Sequence, residues 1–172
     1  MNCELEKKLI DTYSSMFVDY SKPPTQTCMC WGISCDDGWY HILDHMCREL
    51  DNLQKKYDIN IIFDQIKEKF GTLRVYSHFN LGPRWTKDDE TALLDGKPEI
   101  ELIHFGWSHY GETVPAYKGI QDRIDEIINM AEIFSHVTCE KCGMTGATSR
   151  EGGWIHTYCD VCEAKYTAKD DN

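Results

Sequence analysis

The chain has 172 residues, with 18 Lys and Arg against 29 Asp and Glu and a formal net charge of −11. An apolar content of 41% beside 27% charged residues is enough to build a packed core, which excludes a disordered chain. The acidic balance argues against nucleic-acid binding by bulk electrostatics, whose footprint is a net basic face.

No apolar run approaches a membrane span and no segment repeats at a fixed period. Met1–Lys8 has no apolar stretch of the signal-peptide kind, so a reducing, cytoplasmic setting is expected. The length suits one domain with a small appended module.

In chain order, Leu5, Leu9, Ile10, Tyr13, Met16 and Phe17 recur at helical spacing and predict an amphipathic helix over 3–18. Pro23-Pro24 ends that pattern, and residues 1–34 read as a helix and its connector. Asp36 or Asp37 is the expected N-cap of the next helix, where Trp39, Ile42, Leu43, Met46, Leu50, Leu53 and Tyr57 share one face. Cys28, Cys30 and Cys35 stand just upstream, and His41 and His45 lie four apart on that helix. A second metal site can be drawn from them, but the spacing matches no arrangement with a mechanical rationale. Solvated histidines and small buried thiols are the plainer reading.

From Ile59 the period changes to two, and after Gly71 it resumes with Leu73, Val75, Ser77 and Phe79 opposite Arg74, Tyr76 and His78, predicting a hairpin. Residues 59–84 carry four Lys and Arg (Lys67, Lys69, Arg74, Arg84) against Asp64 and Glu68, a local net of +2. Lys67, Lys69, Arg74 and Tyr76 therefore form a candidate contact surface for phosphate or an acidic partner, weighed against ordinary solvated edge charges.

Residues 81–116 read as an inserted excursion that adds a hairpin to the sheet, with Glu99 to Phe105 as a strand and Trp107 and Tyr110 in an aromatic, glycine-punctuated loop. Residues 85–128 hold ten acidic residues against four Lys and Arg, a net of −6, so Trp107 and Tyr110 are further candidates for a docking surface. Ile120, Ile124, Ile127, Ile128, Ala131 and Phe134 then form the stripe of a helix that closes an α+β core over 35–135. That core is expected to be a small antiparallel sheet packed on two or three helices.

The last third carries the strongest signal. Cys139-Glu140-Lys141-Cys142 and Cys159-Asp160-Val161-Cys162 are two CxxC pairs whose separation leaves room for a short hairpin, the pattern of a structural zinc ribbon. Gly143 suits the turn that aims backbone N–H groups at the sulfurs. Four thiolates would close the coordination shell and leave no position for water, so the ion is expected to be structural. Residues 136–168 are assigned to this ribbon, docked on the core, and 169–172 to a frayed tail.

Asp37-Gly38-Trp39, Ile66-Lys67-Glu68-Lys69-Phe70-Gly71-Thr72-Leu73-Arg74, and the two CxxC segments with Gly152-Gly153-Trp154 between them occur in an order that resembles a family of small bacteriophage and bacterial proteins of uncharacterised activity. The resemblance implies a phage or prophage origin and a bacterial cytoplasm, and it marks 81–116 as an insertion relative to compact members.

No phosphate-cradling glycine loop, HExxH helix or GxSxG elbow is present. His78, His104, His109, His136 and His156 are scattered, and a small hydrolase is the least supported reading. A zinc-stabilised module that binds a host protein is the leading expectation. A nucleic-acid or nucleotide binder using the Lys67–Tyr76 hairpin is the alternative. Against it, residues 138–172 hold six acidic residues and four basic ones.

Overall fold

The computed structural model describes residues 1–83, 99–101, 113–115, 117–151 and 154–170. Helix α1 (Cys3–Thr12) is capped by Asn2, whose side chain accepts the N–H groups of Glu4 and Leu5, each at 3.0 Å. It stops short of the predicted Val18. Tyr13 leaves helical geometry at φ −120° and ψ 41°, and its hydroxyl donates to the Asp44 carboxylate at 3.1 Å. Tyr13, Met16 and Phe17 are still buried, so the expected apolar residues reach the core from successive turns.

A 3-10 turn at Met29–Trp31 leads through Gly32 into strand β1 (Ile33–Ser34), and a second at Asp37–Trp39 leads into helix α2 (Tyr40–Tyr57). The expected aspartate cap is not formed. Asp37 instead accepts the Asn2 backbone N–H at 2.6 Å and its side-chain amide at 2.8 Å, fastening the start of α1 to the start of α2.

Strands β2 (Ile59–Lys69) and β3 (Thr72–Leu81) form the predicted hairpin. The turn residues Phe70 and Gly71 have φ of +56° and +76°, the pair of positive values that matches the twist of a tight hairpin. The sheet order is β1-β2-β3, and β1 runs parallel to β2, so the sheet is mixed and not antiparallel throughout. The cause is topological: α2 separates β1 from β2, and a helical crossover returns the chain in the same direction.

Each sheet edge is bonded in part by other elements. On β3, the Leu73 N–H donates to Ser135 Oγ at 2.8 Å and the Val75 N–H to Glu132 Oε1 at 3.1 Å. Both partners lie on helix α3 (Tyr117–Ser135). On the other side, Ile33 N–H donates to Glu6 Oε1 at 2.7 Å, Phe63 N–H to the Met16 carbonyl at 3.0 Å, and the Met1 nitrogen to the carbonyls of Ile33 and Cys35. These bonds occupy the β3 edge at Leu73 and Val75 and the far side of the sheet at Ile33 and Phe63. Strands β4 (Glu99–Glu101) and β5 (Thr113–Pro115) pair with each other as a separate sheet and do not extend the first one.

Leu43, Met46 and Leu50 of α2 and Ile120, Ile124, Ile128 and Ala131 of α3 share one buried cluster with Ile61, Phe63, Ile66 and Leu73 of the hairpin. Phe134 departs from its expected place in the stripe and is half exposed. The C-terminal segment is a hairpin, β6 (Ala147–Glu151) and β7 (Trp154–Tyr158), followed by helix α4 (Asp160–Asp170). That helix was not expected, and it runs into the segment assigned to a frayed tail. Among the described residues no helix is long and apolar enough to cross a membrane.

Candidate metal centre

The first CxxC is a tight turn between α3 and β6. Gly143 N–H donates to the Cys139 carbonyl at 2.9 Å, and Gly143 sits at φ +76°, the left-handed region its position was expected to need. The second CxxC straddles the junction of β7 and α4: Cys159 precedes the helix, Cys162 lies in its first turn, and Glu163 N–H donates to the Cys159 carbonyl at 2.9 Å. The four sulfurs of Cys139, Cys142, Cys159 and Cys162 all lie within 4.8 Å of one another. Cys142 Sγ and Cys159 Sγ are 3.6 Å apart. A tetrahedron with metal–sulfur bonds of 2.3 Å has edges of roughly 3.8 Å, so the cage has the size of a single ion. All nine cysteines are free thiols.

The sulfurs share their protons unequally. The Cys162 backbone N–H, with the neighbouring thiols, draws Cys159 down to about 7. Burial and the facing Cys142 thiol push Cys162 up to about 12. A cation among them replaces those protons, because thiolates are the ligating form. The donor set, all soft sulfur and closed at four, fits a tetrahedral ion that ties the two turns together and holds no water.

The first turn is seated on the core through backbone atoms. Gly38 N–H donates to the Glu140 carbonyl at 2.7 Å and Trp39 Nε1–H to the Thr138 carbonyl at 2.8 Å. A Cβ on Gly38 would collide with the carbonyl oxygens of Cys139 and Glu140 and with the Gly143 nitrogen, so glycine is required by close approach. Lys141 pairs with Asp36 at 2.5 Å. The buried Glu140 carboxylate accepts the Asp36 N–H at 3.2 Å, and burial, with the Asp36 charge added, pushes its pKa up to about 7.

The ribbon has a second seat at the hairpin turn. Thr157 Oγ1–H donates to the Gly71 carbonyl at 2.7 Å, and Gly71 lies against the His156 backbone. His156 is 2% exposed, unlike a surface histidine, with Nε2 2.8 Å from Glu163 Oε2 and its ring among those of Tyr158 and Tyr166. It ties β7 to α4. Neither seat is legible in the sequence, although Gly38-Trp39 and Phe70-Gly71 both fall within its motifs.

The second metal site is not assembled: among the described residues the ribbon cysteines alone converge as a set of three or more ligating groups. Cys35 is buried, with its thiol pushed up to about 12 by that burial, and the Cys30 thiol donates to the Thr27 carbonyl at 3.1 Å. Cys28 is exposed, and His41 and His45 stand on the solvent side of α2.

Of the candidate contact residues, Lys67 lies opposite Arg74 in the ladder, with its ammonium 5.4 Å from the Tyr76 ring. Lys69 sits over Phe70 at 5.3 Å, and Arg74 is 3.7 Å from Glu132 of α3. Trp107 and Tyr110 lie outside the described residues. No family model, no curated protein and no solved structure matches the chain.

Proposed function

We propose that the chain is a zinc-stabilised binding module, encoded by a phage or prophage and working in the bacterial cytoplasm on a host protein concerned with transcription or antiphage defence. The observation that carries the binding reading is the four-thiolate cage seated on Gly38 and Gly71. An ion closed by four sulfurs holds structure and presents no open position to a substrate. Zinc is the ion of choice because four thiolates in a tetrahedron suit its filled shell and impose no redox chemistry on the site. The resemblance to phage and bacterial proteins supplies the host setting. The test is affinity capture from bacterial lysate with the metal-loaded chain, split into nuclease-treated and untreated halves. A protein retained after nuclease is the expected result, and retention that vanishes with nuclease contradicts it.

A second reading has its own observation. Lys67 over Tyr76 and Lys69 over Phe70 place two cations beside two exposed aromatic rings on one ribbon, a surface on which bases stack beside a phosphate backbone. Arg74 counts less toward it, since its guanidinium is engaged by Glu132 and by the Leu73 carbonyl at 2.6 Å.

A further inference from the structure

Helices α2 and α3 pack antiparallel, with Trp39 at the start of α2 bonded to Thr138 beyond the end of α3, and Arg123 of α3 over Tyr57 at the end of α2. On the solvent side the two helices do not close. Ile42 and Met46 of α2 face Ile127, Met130 and Phe134 of α3 across an open groove of about 380 Å³. Two residues of its α3 wall stay in water, Met130 at 50% exposed and Phe134 at 48%, and the neighbouring Ile133 and Val137 are exposed as well. A contiguous exposed strip of this kind marks an interaction site, and methionine on its wall adapts to a partner's shape.

The groove runs from His41 to Glu49, about two helical turns or roughly 12 Å. It is a trough along two helices, the form that accepts an amphipathic helix on its apolar face. The charges beside it select the sign of the partner. Arg48 and Lys55 are engaged by Asp44 and Asp51 of their own helix, and Arg123 lies over the Tyr57 ring. Glu49, the carboxylate among the groove's lining residues, has no ion pair among the described residues, in a chain whose net charge is −11, and His41 and His45 are the other polar side chains that line it. A second copy of the chain would bring a further −11 against that field.

We propose that this groove seats an amphipathic helix of a protein partner, with apolar anchors between Met46 and Phe134 and a Lys or Arg where it meets Glu49. The inference rests on the protein-binding reading above and gives that reading its surface.

The test uses the metal-loaded full chain and two helical peptides of about 14 residues, one with Leu on one face and Lys on the other, its twin with Glu in place of Lys. The Lys peptide is expected to bind about tenfold tighter than the Glu twin, with the advantage shrinking as salt rises. Met130→Glu and Phe134→Glu, both at half-exposed positions, are expected to abolish binding while the chain melts as the parent does. Equal affinity of the two peptides, or binding that survives both variants, overturns the proposal. So does a parent dimer in sedimentation that the variants dissociate, since a second copy then fills the groove. If lysate capture retains the same protein with the parent and with both variants, the groove is wrong and the binding reading stands. If neither captures a protein, the binding reading fails, and the groove's partner with it.

Discussion

Gly38 carries a requirement that composition does not reveal. Its neighbours are backbone atoms of the first CxxC turn, which cannot swing aside as a side chain can. Gly38→Ala is expected to cost about 2–3 kcal/mol, at the upper end of overpacking, and to loosen metal retention with it. Thermal melting and a chelator competition check both, and a parent-like melt would remove Gly38 from the seat. Glu140, beside it, sets a pH dependence. Its carboxyl titrates near 4.5 when exposed and near 7 in the fold. The folded chain therefore holds a proton that the unfolded chain has lost, and stability falls as pH rises through that window and levels above it. Glu140→Gln keeps an acceptor for the Asp36 N–H and removes the titration. The stability gain of the variant over the parent is thus expected to grow from pH 4.5 to 7 and then stay flat. A gain independent of pH, measured by denaturant unfolding of the metal-loaded proteins, would contradict this.

Among the elements, those with a long regular period were legible and those held by distant contacts were not. The α2 stripe, the β2–β3 alternation and, apart from Phe134, the α3 stripe stand where their periods put them. Strand β1, two residues long, has no period to show, and so the mixed character of the sheet was hidden with it. Helix α1 was read too long because Tyr13, Met16 and Phe17 keep helical spacing while reaching the core from turns. Buried Gln54 was missed for a related reason: its amide serves Ser15 at 2.9 Å and accepts the Ile61 N–H at 3.4 Å, contacts that polarity does not predict. Helix α4 did leave a signal in Asp160 and Glu163 of its first turn, overshadowed by the cysteines. The hairpin separates the two functional readings. Lys67→Ala combined with Lys69→Ala breaks no ion pair of the described structure and gives up only the Lys67–Gln65 hydrogen bond and two exposed ammonium–ring contacts, so stability should fall by no more than about 1.5 kcal/mol. Capture of the protein partner should be unchanged by the double variant. Loss of capture together with a flattened salt dependence would move the function to Lys67, Lys69 and Tyr76.

At the scale of the whole molecule, the cage could be read from two CxxC pairs, but its attachment could not. The Trp39–Thr138 bond spans 99 positions and the Asp36–Glu140 bond 104, separations over which one sequence gives no register. Those contacts make the ribbon part of the body of the protein. The first CxxC turn sits against the start of α2, and β7 against the tip of the β2–β3 hairpin. The ion would then support the end of the helix pair that frames the groove. Hydrogen exchange of the purified chain, with and without a metal chelator, tests this most directly. If the ribbon is a metal-closed clamp, chelation strips protection from 138–163 and also from Gly38 and Trp39, while the β2–β3 ladder from Ile61 to Phe79 keeps its protection. Protection that is indifferent to the chelator would mean that the four cysteines do not hold the ribbon through an ion.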